Sequence, residues 1–274
     1  MSHTSDWQLP VSEAALTAMT REFDDAHRTA YPTMQARAAD LVEELHDNGA
    51  IAAADSRVGR RGFLLGLGGT GVALALAACS SNSSNSSNAS GSGTQNPNTR
   101  AASSGSAMNS PYTSDLKVVA LENQAVGAYK AALTAAQAGK LGTVPPAVAT
   151  FVQTAMSQHQ DHAKAWNAVL TGAGVPAITN VPLTNQPATI RALGAATSVG
   201  AVAKLALELE NQAAETYLFA TAHVSSAAGI ATAASIAPVE AMHAAVLNFV
   251  LGNYPVPDAF LGTSMAASPA LLTV

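Results

Sequence analysis

The stretch L-E-N-Q-A-V-G-A-Y, from Leu121 to Tyr129, returns 88 positions later as L-E-N-Q-A-A-E-T-Y, from Leu209 to Tyr217. A shorter echo follows each copy. H-Q-D-H, from His159 to His162, comes after the first and E-A-M-H, from Glu240 to His243, after the second, with Asn167 and Asn248 trailing the closing histidines by equal distances. A duplicated helix pair accounts for this spacing. It sets Glu122, His159, His162, Glu210, Glu240 and His243 at matching points on four helices, and such a constellation is what a metal ion in the core of a helical bundle requires.

The surrounding pattern predicts four helices between residues 114 and 262. The first covers about 114–138 and stops at Gly139 and Gly142. Pro145 and Pro146 open the second, over about 147–170. A long connection with Pro176, Pro182 and Pro187 leads to a third over about 198–224, and the fourth is centred on 240–251, closed by Gly252, Pro255 and Pro257. Steps of three and four place Ala155, His159, His162, Trp166 and Val169 on one stripe, and Ile236, Glu240, His243, Leu247 and Val250 on another. Glu122 with Tyr129, and Glu210 with Tyr217, follow the same rule on the other two helices. Glu208 and Glu215 rotate off theirs and are expected to face solvent, while His223 falls off the stripe and Trp166 reads as core.

Three carboxylates and three imidazoles in an alanine-rich core are costly unless something neutralises them, and no lysine or arginine lies on these stripes. A cation is the expected compensation. Carboxylate with imidazole suits iron or manganese, one or two ions, with zinc as a further candidate. Tyr129 and Tyr217, two turns beyond their glutamates, are placed to orient them by hydrogen bonds.

With these motifs in view, residues from about Ser114 to Leu261 resemble the ferritin-like superfamily. The likeness is to the ferritin-like domains of exported bacterial proteins and of desiccation-related proteins, with rubrerythrin and bacterioferritin further off. Y-P-V-P-D-A-F after the fourth helix is similar to the end of that domain. The resemblance implies an all-α, ferritin-like four-helix bundle with one long crossover between the second and third helices. In di-iron members, two helices give one Glu each and two give Glu-x-x-His. By position, Glu122 and Glu210 would be the single glutamates, Glu240 with His243 one motif, and His159 with His162 the other. His159 departs from the pattern, because an imidazole cannot bridge two metals as a carboxylate does. A single ion or an asymmetric pair therefore stands beside a standard di-iron centre.

Ahead of this domain lie three segments. Residues 1–58 are a polar stretch with amphipathic helices expected over 12–31 and 34–46; His3, His27 and His46 sit among polar neighbours and read as solvated, and Met34 offers an alternative start. Residues 59–79 look like a twin-arginine export signal: Arg60 and Arg61 precede a glycine-rich apolar run, and Leu76 to Cys79 resemble a lipobox whose cysteine is lipidated. A short membrane anchor is the competing reading. Residues 80–113, rich in serine and asparagine, are expected to be a disordered linker, and 263–274 a tail.

Charged residues are 11% of the chain, and beyond Cys79 eight acids face seven bases, which gives no footprint for nucleic acid. These readings predict an exported protein anchored by lipid to the outer face of the bacterial cytoplasmic membrane, with the twin-arginine machinery as a partner. Exposed alanine faces allow a homodimer without demanding one. The function expected is iron or manganese redox or peroxide-related stress protection of ferroxidase or peroxidase type. Without a Cys-x-x-Cys module it would draw on an external electron donor. The alternative is a non-enzymatic envelope protein that keeps the bundle without a working di-metal centre.

Overall fold

The computed structural model describes residues 7–47, 111–224 and 226–273, with backbone alone at 111–117 and 269. The expected export signal with Arg60, Arg61 and Cys79, and most of the expected linker, lie outside the described residues. Among those described, the chain is all-helical: α1 (Glu13–Asp47), α2 (Pro111–Gln137), α3 (Pro146–Gly172), α4 (Gln186–Ala195), α5 (Val199–His223) and α6 (Ala227–Val250), followed by one short 3-10 turn at Pro269–Leu271.

The four predicted bundle helices are α2, α3, α5 and α6. α2 pairs with α3, α5 pairs with α6, and α2 lies against α5, so the two repeats form two hairpins joined by the long crossover. Asn123 and Asn167 hold that crossover in place: both amides donate to the Ile178 carbonyl at 3.0 Å, and Asn167 accepts from the Ile178 N–H at 2.7 Å. Gly174, at φ 74°, supplies the left-handed residue that turns the chain out of α3. Within the crossover α4 was not expected. Pro187 had argued against a helix, but it occupies the first turn, where its missing N–H costs nothing. α6 likewise starts well before the expected fourth helix and runs through Pro238. It is apolar enough to span a membrane by length and composition, yet more than half of it is buried against its neighbours.

The main departure is α1. The polar N-terminal segment forms a single helix through Pro32, not two, and it packs on the bundle between α3 and α6, which make little direct contact of their own. Its buried residues Leu16, Thr20, Phe23, His27, Met34, Ala38, Leu41 and Leu45 step by fours and threes, with half-buried Tyr31 filling the one gap. Burial on both sides of Pro32 offsets the hydrogen bond it removes. His27, read as solvated, is only 5% exposed. His46 is exposed as expected.

Two apolar clusters result, one at each end. Leu16 and Phe23 join Phe151, Val246 and Leu247; Met34 and Leu41 join Trp166, Leu170 and Ile236. The six motif side chains lie between these clusters along α3 and α6. The chain after α6 folds back on α5, where Met265 N–H donates to Glu215 and Ala267 N–H to Thr216 at 2.8 Å. Glu215 is therefore buried, contrary to expectation, because the tail supplies a partner that stripe arithmetic cannot foresee. Glu208 is exposed as expected.

The N-terminal segment approaches the bundle closely enough to need glycine. A Cβ at Gly200 would stand 2.6 Å from the Trp7 indole nitrogen, whereas one at Gly194 would meet nothing within 4 Å. Gly200→Ala should cost about 1–3 kcal/mol by forcing Trp7 out. Gly194→Ala should instead stabilise by about 0.5–1 kcal/mol, as expected for an open helical glycine. Urea unfolding of the two variants checks both signs.

Candidate metal centre

Each of the four bundle helices delivers its motif residue to one buried point. Glu122, His162 and Glu210 are 1% exposed and His159, Glu240 and His243 are 0% exposed, so all six expected ligands converge. They form two overlapping sets, Glu122–His159–His162–Glu240 and His159–Glu210–Glu240–His243, within each of which one atom per residue lies inside 4.8 Å of the others. Glu240 and His159 belong to both sets. Of these two, the Glu240 carboxylate could offer an oxygen to each set, whereas an imidazole has one lone pair to give.

The imidazole of His159 spans the centre. Nδ1 lies 2.7 Å from Glu122 Oε2 and Nε2 lies 3.1 Å from Glu210 Oε1. Two carboxylates facing both ring nitrogens select the imidazolium, which donates to each. Burial alone would lower its pKa, but Glu240 and Glu210 raise it well above the usual histidine value. His162 behaves similarly: burial opposes charging, yet Glu122 and Glu240 push it up to about 9. The same balance, with Glu210 as the chief attraction, raises His243. Conversely, burial would raise Glu122, but His162 and His159 hold it down at about 2, and Glu210 is held well below the usual range by His159 and His243. Without metal, carboxylates and imidazoles thus neutralise one another. Metal is not the only compensating charge, as the sequence had suggested, because three histidines can each take a proton.

The tyrosines exchange partners. Tyr129 donates to Glu210 and Tyr217 to Glu122, each phenol serving the glutamate of the other hairpin and not its own. Burial and the adjacent carboxylates raise both phenols well above 10, so they stay protonated donors. Trp166, buried as expected, also donates its indole N–H to Tyr217 Oη at 2.9 Å. His223 lies outside the centre, exposed and stacked on Phe219 at 3.7 Å.

Four residues around the centre were missed. Gln158 accepts from His243 Nε2 at 2.9 Å, which leaves Nδ1 facing Glu210 and Glu240 at 3.3 Å. Asp24 of α1 accepts from the Gln158 amide at 3.4 Å and fixes which way that amide points. Phe23 meets the His243 ring edge-on with centroids 5.6 Å apart, and His27 lies 5.2 Å from the His162 ring and 3.5 Å from the Asp161 carboxylate. Burial and the neighbouring His162 lower the pKa of His27, against the pull of Asp161. The four-and-three stripe of α1 carried the signal for Phe23 and His27; nothing local marked Gln158.

Whether the residues suit a cation can be tested on the donors themselves. His162 Nδ1 and Glu240 Oε1 are 2.8 Å apart, an ion pair closed off from water that lacks the geometry of a hydrogen bond. A buried ion pair without hydrogen-bond geometry is costly, and a cation taking the place of the His162 proton would engage both atoms. The donor set therefore fits a hard or borderline divalent ion.

The pKa shifts set a pH profile for the metal-free protein. Glu122, ordinarily near 4.5 and depressed to about 2, adds stability that is present above pH 4.5 and lost as pH falls toward 2. His162, ordinarily near 6.5 and raised to about 9, adds stability that is present below pH 6.5 and lost as pH rises through 9. Thermal melts of chelator-treated protein should show a plateau between those limits and a fall on each side. Tyr217→Phe, which leaves a Glu122 oxygen without its donor, should cost about 1–3 kcal/mol on that plateau.

Comparison with curated proteins and with solved structures found no match to the chain. The ferritin-like domain family matches residues 117–253, half of the sequence, and this span holds all six converging side chains together with both tyrosines. The chain belongs to the ferritin-like domain family.

Proposed function

We propose that this protein binds divalent metal in its bundle core, one ion tightly and a second more weakly, with iron or manganese as the native ion and zinc as a competitor. The observation that carries the reading is the buried convergence of Glu122, His159, His162 and Glu240, in which His162 Nδ1 and Glu240 Oε1 meet at 2.8 Å as an ion pair without hydrogen-bond geometry. The first ion falls to Glu122, His162 and Glu240, where His162 Nδ1 and Glu240 Oε1 have no hydrogen bond to give up, while Glu122 keeps those from His159 and Tyr217. The second set must first give up the hydrogen bonds of His243 Nδ1 to Glu210 and Glu240. His159 sharpens the difference: its imidazolium supplies positive charge where a second bridging carboxylate would supply negative, which disfavours filling both positions.

Iron or manganese held there would supply one-electron redox chemistry toward oxygen or peroxide. The chain's own residues keep the carboxylates oriented through Tyr129 and Tyr217, hold His243 by Gln158, and exclude water with Phe23 and Phe151. Ferroxidase or peroxidase-type stress protection at the cell envelope is the role this supports. Arg60, Arg61 and the run ending Leu76 to Cys79 support export by the twin-arginine route and a lipid tether, and the single cysteine calls for an external electron donor. A second reading, a structural bundle that never uses metal, is favoured by one observation: the Glu–His network is already charge-balanced.

Metal analysis of the purified full chain separates the two. The metal reading expects between one and two equivalents of iron or manganese, and stabilisation of the reloaded protein by about 2.7 kcal/mol at a hundredfold excess over Kd. His162→Ala should abolish the tighter binding step, and His243→Ala should remove only the weaker. Affinity should rise with pH from 6.5 to 9, since His162 must lose its proton to bind. Metal-free protein whose stability is indifferent to all three ions would leave only the structural reading.

A further inference from the structure

The family match begins at residue 117, yet one wall of the centre comes from α1, seventy residues earlier in the chain by its last described residue, Asp47. α1 runs parallel to α3 and antiparallel to α6, and its register is fixed at several independent points. Glu13 accepts from the Ala147 N–H at the start of α3 at 3.4 Å, and Glu44 accepts from Ser226 and from the Ala228 N–H at the start of α6. Each acid thus sits at the positive end of a helix dipole. Gly172 receives Val42, Gly252 receives Pro10 and Gly200 receives Trp7, all at distances a side chain would block or crowd. Arg37 adds a hydrogen bond to the Ala231 carbonyl at 3.3 Å. Docking is specified along the whole helix by contacts of its own.

At mid-length α1 reaches the ligands. Phe23 covers His243, His27 covers His162, and Asp24 fixes His243 through Gln158. No bundle helix occupies that side, because α3 and α6 make little contact without α1.

We propose that α1 is an in-chain partner helix that closes the centre: it is held in the α3–α6 groove by its own contacts, independently of the covalent link through residues 48–110, and its departure opens His162 and His243 to solvent. The proposal rests on the metal reading only for the importance of what it covers. It bears directly on the export reading. Cleavage at Cys79 would leave α1 attached by these contacts alone, and placing residues before and after the signal on opposite sides of a membrane would empty the groove.

The test uses the full chain, treated with chelator so that its outcome does not depend on metal binding. A protease site built into Ala52–Asp55 is cut after purification, and diethyl pyrocarbonate labelling is read histidine by histidine by mass spectrometry. The fragments should co-elute in gel filtration with His162 and His243 still protected. In the uncut variant Met34→Asp/Leu41→Asp, which places charge in the docked face, these two histidines should label at least tenfold faster while exposed His223 is unchanged. Fragments that separate after cleavage, or histidines that stay protected in the double variant, would overturn the proposal. So would loss of the whole bundle's helical signal in the double variant, because α1 would then be inseparable core and not a docked partner.

Discussion

Three carboxylates and three imidazoles share a space from which water is excluded, and the rest of the molecule is arranged around keeping them there. In such a medium a lone charge is prohibitive, while charges that answer one another over 2.7–3.5 Å are tolerated. His159 is the centre of the balance, since its two nitrogens tie the glutamate of one hairpin to that of the other. The apolar clusters at either end then act as plugs. They keep the local dielectric low, so that the pKa values of Glu122 and His162 move far apart.

The bundle was readable because its signals are local and doubled. A nine-residue stretch that returns after 88 positions, stripes at helical period and glycines at helix ends identify four helices and six inward side chains without tertiary information. What could not be read depends on partners distant in the chain. Glu215 looks exposed until the tail returns over it, and Tyr129 looks tied to Glu122 until the hairpins are seen to face each other. His27 was misjudged because its sequence neighbours are polar, although Phe23 and Tyr31, four residues to either side, are not. The stripe from Leu16 to Leu45 was present to be counted; Pro32 interrupted the count.

The groups that balance the charge of the core are the same ones that could hold a metal. Protonated histidines satisfy the carboxylates when no metal is bound, and those protons must leave before metal enters. The charges of the centre are therefore balanced without an ion. A metal would have to compete with a proton at every candidate histidine, His162 included, whose pairing with Glu122 and Glu240 pushes its pKa up to about 9.

The exchange of tyrosines between hairpins has an architectural meaning. Since Tyr129 attends Glu210 and Tyr217 attends Glu122, neither half of the repeat contains a finished site. The polypeptide is in effect a pseudo-symmetric dimer whose subunits have been fused, with the subunit boundary running through the buried Glu–His cluster. A change in one copy is felt by the ligand of the other, so the two halves cannot drift apart independently.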